Sequence, residues 1–92
     1  MLLGMIQKAP LEVLDYDTNC VEWLGEGDFL TSVDATVDGS TVVVDSALVS
    51  ATSIKVRLRG GADGDNGKLT LLGHTNLGLT KEVCYRLRVK DC

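Results

Sequence analysis

The chain has 92 residues and a single histidine, His74, so any pairing of a nucleophile with an imidazole base would have to run through it. A serine, threonine or cysteine becomes a nucleophile near neutral pH only beside a group that takes its proton. His74 follows Gly73 inside Leu69–Thr75, a segment that reads as a strand, and no G-x-S-x-G turn surrounds it. A solvated or core-edge histidine is the expectation. The three cysteines, Cys20, Cys84 and Cys92, share no zinc-ligand spacing with one another or with His74. Their number is odd, and the first ten residues have too short an apolar run and no basic segment for a secretion signal. Reduced thiols in a cytoplasm-like compartment are expected.

One loop has the oxygen chemistry of a cation site. Asp63, Asp65 and Asn66 stand among glycines, and closely spaced carboxylate and amide oxygens can wrap calcium. The twelfth position counted from Asp63 is His74, however, where an EF-hand needs a glutamate. Asp, Asn and Gly are also what a tight turn selects. No resident metal and no cofactor is expected. Asp15 and Asp17 share a face if their segment is extended, but paired acids for glycoside work need a cleft and aromatic platforms. The chain has four aromatic residues, Tyr16, Trp23, Phe29 and Tyr85, and no phosphate-cradling glycine motif. Catalysis is not expected.

The elements that would position these residues read as strands. Ile54-Lys55-Val56-Arg57-Leu58-Arg59 alternates strictly, and Val83 to Lys90 repeats the pattern with Val83, Tyr85, Leu87 and Val89 on one side. Leu69–Thr75, with Gly73 as a candidate bulge, precedes an Asn76-Leu77-Gly78 turn, which suggests a hairpin into the last strand. Further strands are read at Phe29–Val37, at Thr41–Val44 and, more weakly, at Ala47–Val49. Near the start, a strand is read at Val13–Thr18 and a loop or single helical turn at Val21–Leu24. With no helix evident after residue 25, the pattern predicts an all-β, immunoglobulin-like β-sandwich of about seven antiparallel strands. Residues 1–92 are expected as one domain, with 1–11 an extended N-terminal arm. The core must be largely Val and Leu. No run approaches the roughly 20 apolar residues of a membrane helix, so no membrane partner is expected.

Charge divides along the chain. Residues 1–53 hold nine acids against Lys8 alone, net −8, while residues 54–92 hold eight bases against four acids, net +4. Such asymmetry allows copies to attract head to tail, or simply gives adjoining surfaces opposite sign. The overall charge of −4 argues against nucleic acid as the main partner. Lys55, Arg57, Arg59, Arg86, Arg88 and Lys90 point outward from their strands; in one sheet they would form a basic stripe, otherwise a solvated face. Trp23 is either a core plug at one end or an exposed anchor of a protein interface, where tryptophan is enriched. Trp23, Tyr16, Lys55, Arg57, Arg59, Arg86 and Arg88 are the interface candidates.

Several short motifs resemble a family of small structural proteins of tailed bacteriophages. They are Lys8-Ala9-Pro10, Val13-Leu14-Asp15-Tyr16 with Asp17, Trp23-Leu24, Gly27-Asp28-Phe29-Leu30, and Val56-Arg57-Leu58-Arg59-Gly60-Gly61. The resemblance runs from Lys8 to Asp91 and implies a fibre–tail adaptor type of virion protein with an immunoglobulin-like fold. The family tends to carry a tryptophan in the strand after G-D-x-[IL]; here that strand reads Thr31-Ser32-Val33-Asp34-Ala35. The implied role is a virion part made in the host bacterial cytoplasm. It would be present in multiple copies and bind other virion proteins at the tail or tail-fibre junction. A capsid decoration or cement protein on the head is the alternative, and a carbohydrate-binding module using Trp23 and Tyr16 is a more distant third.

Overall fold

The computed structural model describes residues 2–91; Met1, at the start of the expected arm, and Cys92, one of the three thiols, lie outside the described residues. Apolar side chains at every second position give seven strands among these residues. They are β1 (Leu2–Lys8), β2 (Leu14–Asn19), β3 (Leu30–Asp38), β4 (Val42–Val49), β5 (Ser53–Gly60), β6 (Asn66–Thr75) and β7 (Thr80–Val89). A single 3-10 turn, Val21–Trp23, interrupts the series where one helical turn or a loop was expected.

The strands form two sheets, β1-β7-β6-β3 and β2-β5-β4. The chain changes sheet between β1 and β2, between β2 and β3, between β3 and β4, and between β5 and β6, as in the immunoglobulin-like sandwich. Inward residues of both sheets share one core, in which Ile6, Leu30, Val42, Ile54, Val56, Leu58, Leu69, Leu71, Val83, Leu87 and Val89 are buried with Cys20. Each such aliphatic side chain contributes roughly 1.5–3 kcal/mol on leaving water. Tyr16, Trp23, Ala35 and Tyr85 are half-buried against this cluster.

Three local features depart from the alternation. β4 runs unbroken through Asp45, because a bulge between Val44 and Ser46 absorbs one residue and hides the strand's continuity from a period-two pattern. In β3 a second irregularity, between Leu30 and Ser32, turns Leu30 inward and leaves Phe29, just before the strand, exposed. Gly73, read as a bulge, keeps regular register with both neighbouring strands and faces the core. A Cβ there would lie 3.2 Å from Trp23 Cη2 and 3.3 Å from Leu30 Cδ2, so glycine makes room for the indole.

Residues 2–8, expected as an extended arm, lie along the edge of the larger sheet in parallel pairing with β7. The other pairings are antiparallel. At the end of this strand, the Lys8 side chain is buried to 2% exposure, and its ammonium donates to Gly60 O at 2.5 Å and to Ala9 O at 2.6 Å. The bond to Gly60 ties the larger sheet to the smaller. Burial pushes the Lys8 pKa below the usual lysine value, against the opposing pull of Glu12.

Candidate interaction surfaces

The six cations form no single basic stripe, because their strands lie in different sheets. Lys55, Arg57 and Arg59 lie on β5 in the smaller sheet, while Arg86 and Arg88 lie on β7 in the larger, with Lys90 just beyond it. The two sets therefore face away from each other across the sandwich. On the smaller sheet the acidic and basic halves of the chain interleave. Arg57 Nε donates to Asp15 Oδ1 at 2.8 Å and Arg57 Nη2 to Asp15 Oδ2 at 3.1 Å. Arg59 Nε donates to Asp45 at 3.0 Å, and Lys55 stands opposite Asp17 in register. The hydrogen bond from Arg57 holds the Asp15 carboxyl below its ordinary pKa, and the same pair raises that of Arg57. These exposed pairs neutralise the face locally, and each adds little stability.

The larger sheet carries the chain's histidine on its outer face. His74 Nε2 lies 2.8 Å from Asp34 Oδ2 and Nδ1 lies 3.0 Å from Thr80 Oγ1, so an acid, an imidazole and a hydroxyl stand in line. The acid is exposed, and His74 lines neither of the two grooves described below. The outer face also holds a trough of about 730 Å³ lined by Leu2, Met5, Lys68, Cys84, Arg86 and Arg88 among others. Arg86 and Arg88 thus border a concave, cationic surface with an apolar edge.

The Asp63–Asn66 loop spends its oxygens inside the fold. Asp65 Oδ2 accepts from Thr41 N at 2.9 Å, Ala62 N at 3.1 Å, Thr41 Oγ1 at 2.8 Å and Ser40 Oγ at 3.0 Å. These donors, the Thr41 and Ala62 amides first, hold its pKa at about 2. Asp63 Oδ1 accepts from Asp91 N at 2.7 Å, and Asn66 donates to Gly64 O. Of the three calcium candidates, Asp65 clips the β3–β4 turn to the β5–β6 connection, Asp63 holds the chain just beyond β7, and Asn66 bonds within its own loop. Among the described residues no cluster of three or more His, Cys, Asp or Glu could hold a metal.

The opposite end of the sandwich gathers three connections: residues 20–29, 50–52 and 76–79. Asn76 clamps two of them, accepting from Phe29 N at 2.9 Å and donating from its own amide nitrogen to Gly27 O and from its backbone to Phe29 O. Leu30 N donates to Ala51 O and Cys20 N to Thr52 O, which fixes the third. Gly78, in the left-handed region, closes the tight turn back into β7. On this braced end Val21, Phe29, Leu77 and Leu79 remain 46–63% exposed, beside Glu22, Glu26 and Asp28. Trp23 is half-buried, its ring tip over Gly73 and its side lining a small pocket. It is both plug and wall. Tyr16 faces the core and is not an exposed platform alongside it.

Sequence reasoning did not find the buried Lys8, the Asp65 clip or the Asn76 clamp. Nothing in the sequence around Lys8 marks it for burial, since a lysine is ordinarily solvated.

A braced, immunoglobulin-like sandwich with shallow grooves and one apolar, acidic loop end places the chain in the class of small all-β sandwich domains. Comparison with family models sharpens this: the chain belongs to the family described as podophage GP4 fiber-tail adaptor protein gp77, which it matches over residues 8–88. It is a bacteriophage tail-fibre adaptor protein by family. A search of curated proteins returned no match.

Proposed function

We propose that the protein joins tail and fibre components of the virion by binding both, in multiple copies per particle, and that it performs no catalysis. The family match over residues 8–88 carries this reading. The fold is consistent with a geometric role: both ends are tied by side-chain hydrogen bonds, so its surfaces reach a partner already ordered, which lowers the entropy cost of docking. Residues 1–92 act as one unit, made in the host bacterial cytoplasm. The loop end formed by Val21, Trp23, Phe29, Leu77 and Leu79 meets one partner through apolar contact, with Glu22 and Glu26 at its rim. The trough bordered by Arg86 and Arg88 meets the other. Nucleic acid and membrane are not partners in this scheme.

The experiment is a binding assay with purified tail and fibre proteins from the same phage. Capture of both, with Phe29→Asp abolishing one contact and Arg86→Glu with Arg88→Glu the other, is the expected result. Failure to bind either protein at micromolar concentration overturns the proposal.

A further inference from the structure

The small pocket beside Trp23 has features of its own. It encloses about 200 Å³, the size of one long side chain, and is lined by Trp23, Asp28, Thr75, Leu79, Thr80 and Lys81. Asp28 Oδ2 accepts from Gly25 N at 3.1 Å, but Asp28 Oδ1 is buried and has no hydrogen-bond partner among the described residues. A buried carboxylate oxygen left unpaired is costly, and a charged donor is the group that satisfies it best. The indole beside it is held at its tip against Gly73, so its position is fixed before anything binds. An aromatic face next to a carboxylate is the chemistry that receives a guanidinium, which stacks and donates at once. Glu22 and Glu26 on the same loop add attraction at longer range. Lys81, on the lining, opposes it, and no ion pair joins Lys81 to Asp28 within 4 Å among the described residues.

We propose that this pocket is a socket for an arginine side chain of a protein partner, its guanidinium stacking on Trp23 and donating to Asp28. This deepens the adaptor reading and rests on it for the identity of the partner, though the socket itself is testable without one. Arginine buried in a pocket at an interface is the kind of residue that carries a large share of binding energy.

The probe is a short neutral-ended peptide, acetyl-Gly-Arg-Gly-amide, titrated against the whole protein. Trp23, the chain's one tryptophan, serves as reporter through its fluorescence and its indole N–H resonance. One side chain makes few contacts, so a Kd on the order of millimolar is expected. The citrulline analogue, of the same shape without the charge, should not shift Trp23. Asp28→Asn, which keeps an acceptor for Gly25 N, should weaken the arginine peptide about tenfold or more, as loss of a charged hydrogen bond does. Asp17→Asn, exposed on β2 of the smaller sheet, should leave it unchanged, and Lys81→Gln should strengthen it. Equal shifts with citrulline, or equal loss in Asp28→Asn and Asp17→Asn, overturn the socket, as does silence of Trp23. Should Asp28→Asn fail to fold, the Lys81→Gln arm decides in its place. If tail or fibre proteins bind the wild type and Asp28→Asn alike, the socket falls while the adaptor reading stands. If the peptide behaves as described and neither virion protein binds, the adaptor reading falls and the socket stands.

Discussion

Replacing Gly73 by alanine tests how the indole is seated at the loop end. Gly73 lies outside the left-handed region, so alanine suits its backbone and the effect reads packing alone. The added methyl lies 3.2 Å from Trp23 Cη2, 3.3 Å from Leu30 Cδ2 and 3.5 Å from Ile54 Cδ1. Carbon atoms rest at about 3.5–4.0 Å, so the first two contacts must lengthen by a few tenths of an ångström. Leu30 and Ile54 are buried in the core, whereas Trp23 sits on a three-residue turn and is half-exposed, so the indole is the group that yields. Inserting a methyl in a packed core costs about 1–3 kcal/mol, and restricting the unfolded chain returns about 0.4–1 kcal/mol. The net is a loss of about 1 kcal/mol, which for a chain of this size lowers Tm by about 4–8 °C. Thermal denaturation followed by circular dichroism measures the first quantity. A red shift of tryptophan emission in the folded protein reports the second, the retreat of the ring into water. An unchanged or raised Tm with unaltered emission would refute the claim that Gly73 exists to seat Trp23.

Three further outcomes follow from other sites. Tyr85 Oη and Thr18 Oγ1 lie 2.8 Å apart across the sandwich, so Tyr85→Phe strands a buried hydroxyl and should cost about 1–2 kcal/mol in denaturant titration without altering the fold. Asp65 titrates at about 2 in the fold against an ordinary 3.8, so the native state holds fewer protons between those values. Its contribution is therefore complete above that window and lost as pH falls through it; acid melts should show a shallower acid limb for Asp65→Asn than for wild type. Lys8 shifts in the same direction for the opposite reason, burial disfavouring its charge: its pKa is lowered from 10.5, so the unfolded chain holds the extra proton and stability rises with pH on the approach to that value. Melts at rising alkaline pH should show wild type gaining on Lys8→Met.

Much of the sandwich is legible in the sequence because β5 and β7 expose one wet face each, and a half-buried strand must alternate. Long-range pairing is less so. Nothing in Lys55, Arg57 and Arg59 says that β5 lies in a different sheet from Arg86 and Arg88, because sheet membership depends on where the chain crosses the sandwich. Asp45 hides the length of β4 because a bulged residue breaks the period without ending the strand. Gly73 reads as a flaw in β6 until the indole of Trp23, fifty residues earlier in the chain, is seen above it. Lys8 offers no local sign of burial, since its partners are backbone carbonyls and one of them belongs to Gly60. The loop end was legible only as residues, Trp23 above all. Its bracing by Asn76 joins positions 47 and 49 residues apart, beyond the reach of any local pattern.

The adaptor reading is tested most directly by locating the protein in the assembled particle. Virions carrying a small epitope insertion at the exposed Glu12 turn, labelled with a gold-conjugated antibody and viewed by electron microscopy, should show label where the fibres join the tail. Label spread over the capsid shell, or particles that lack the protein altogether, would contradict it.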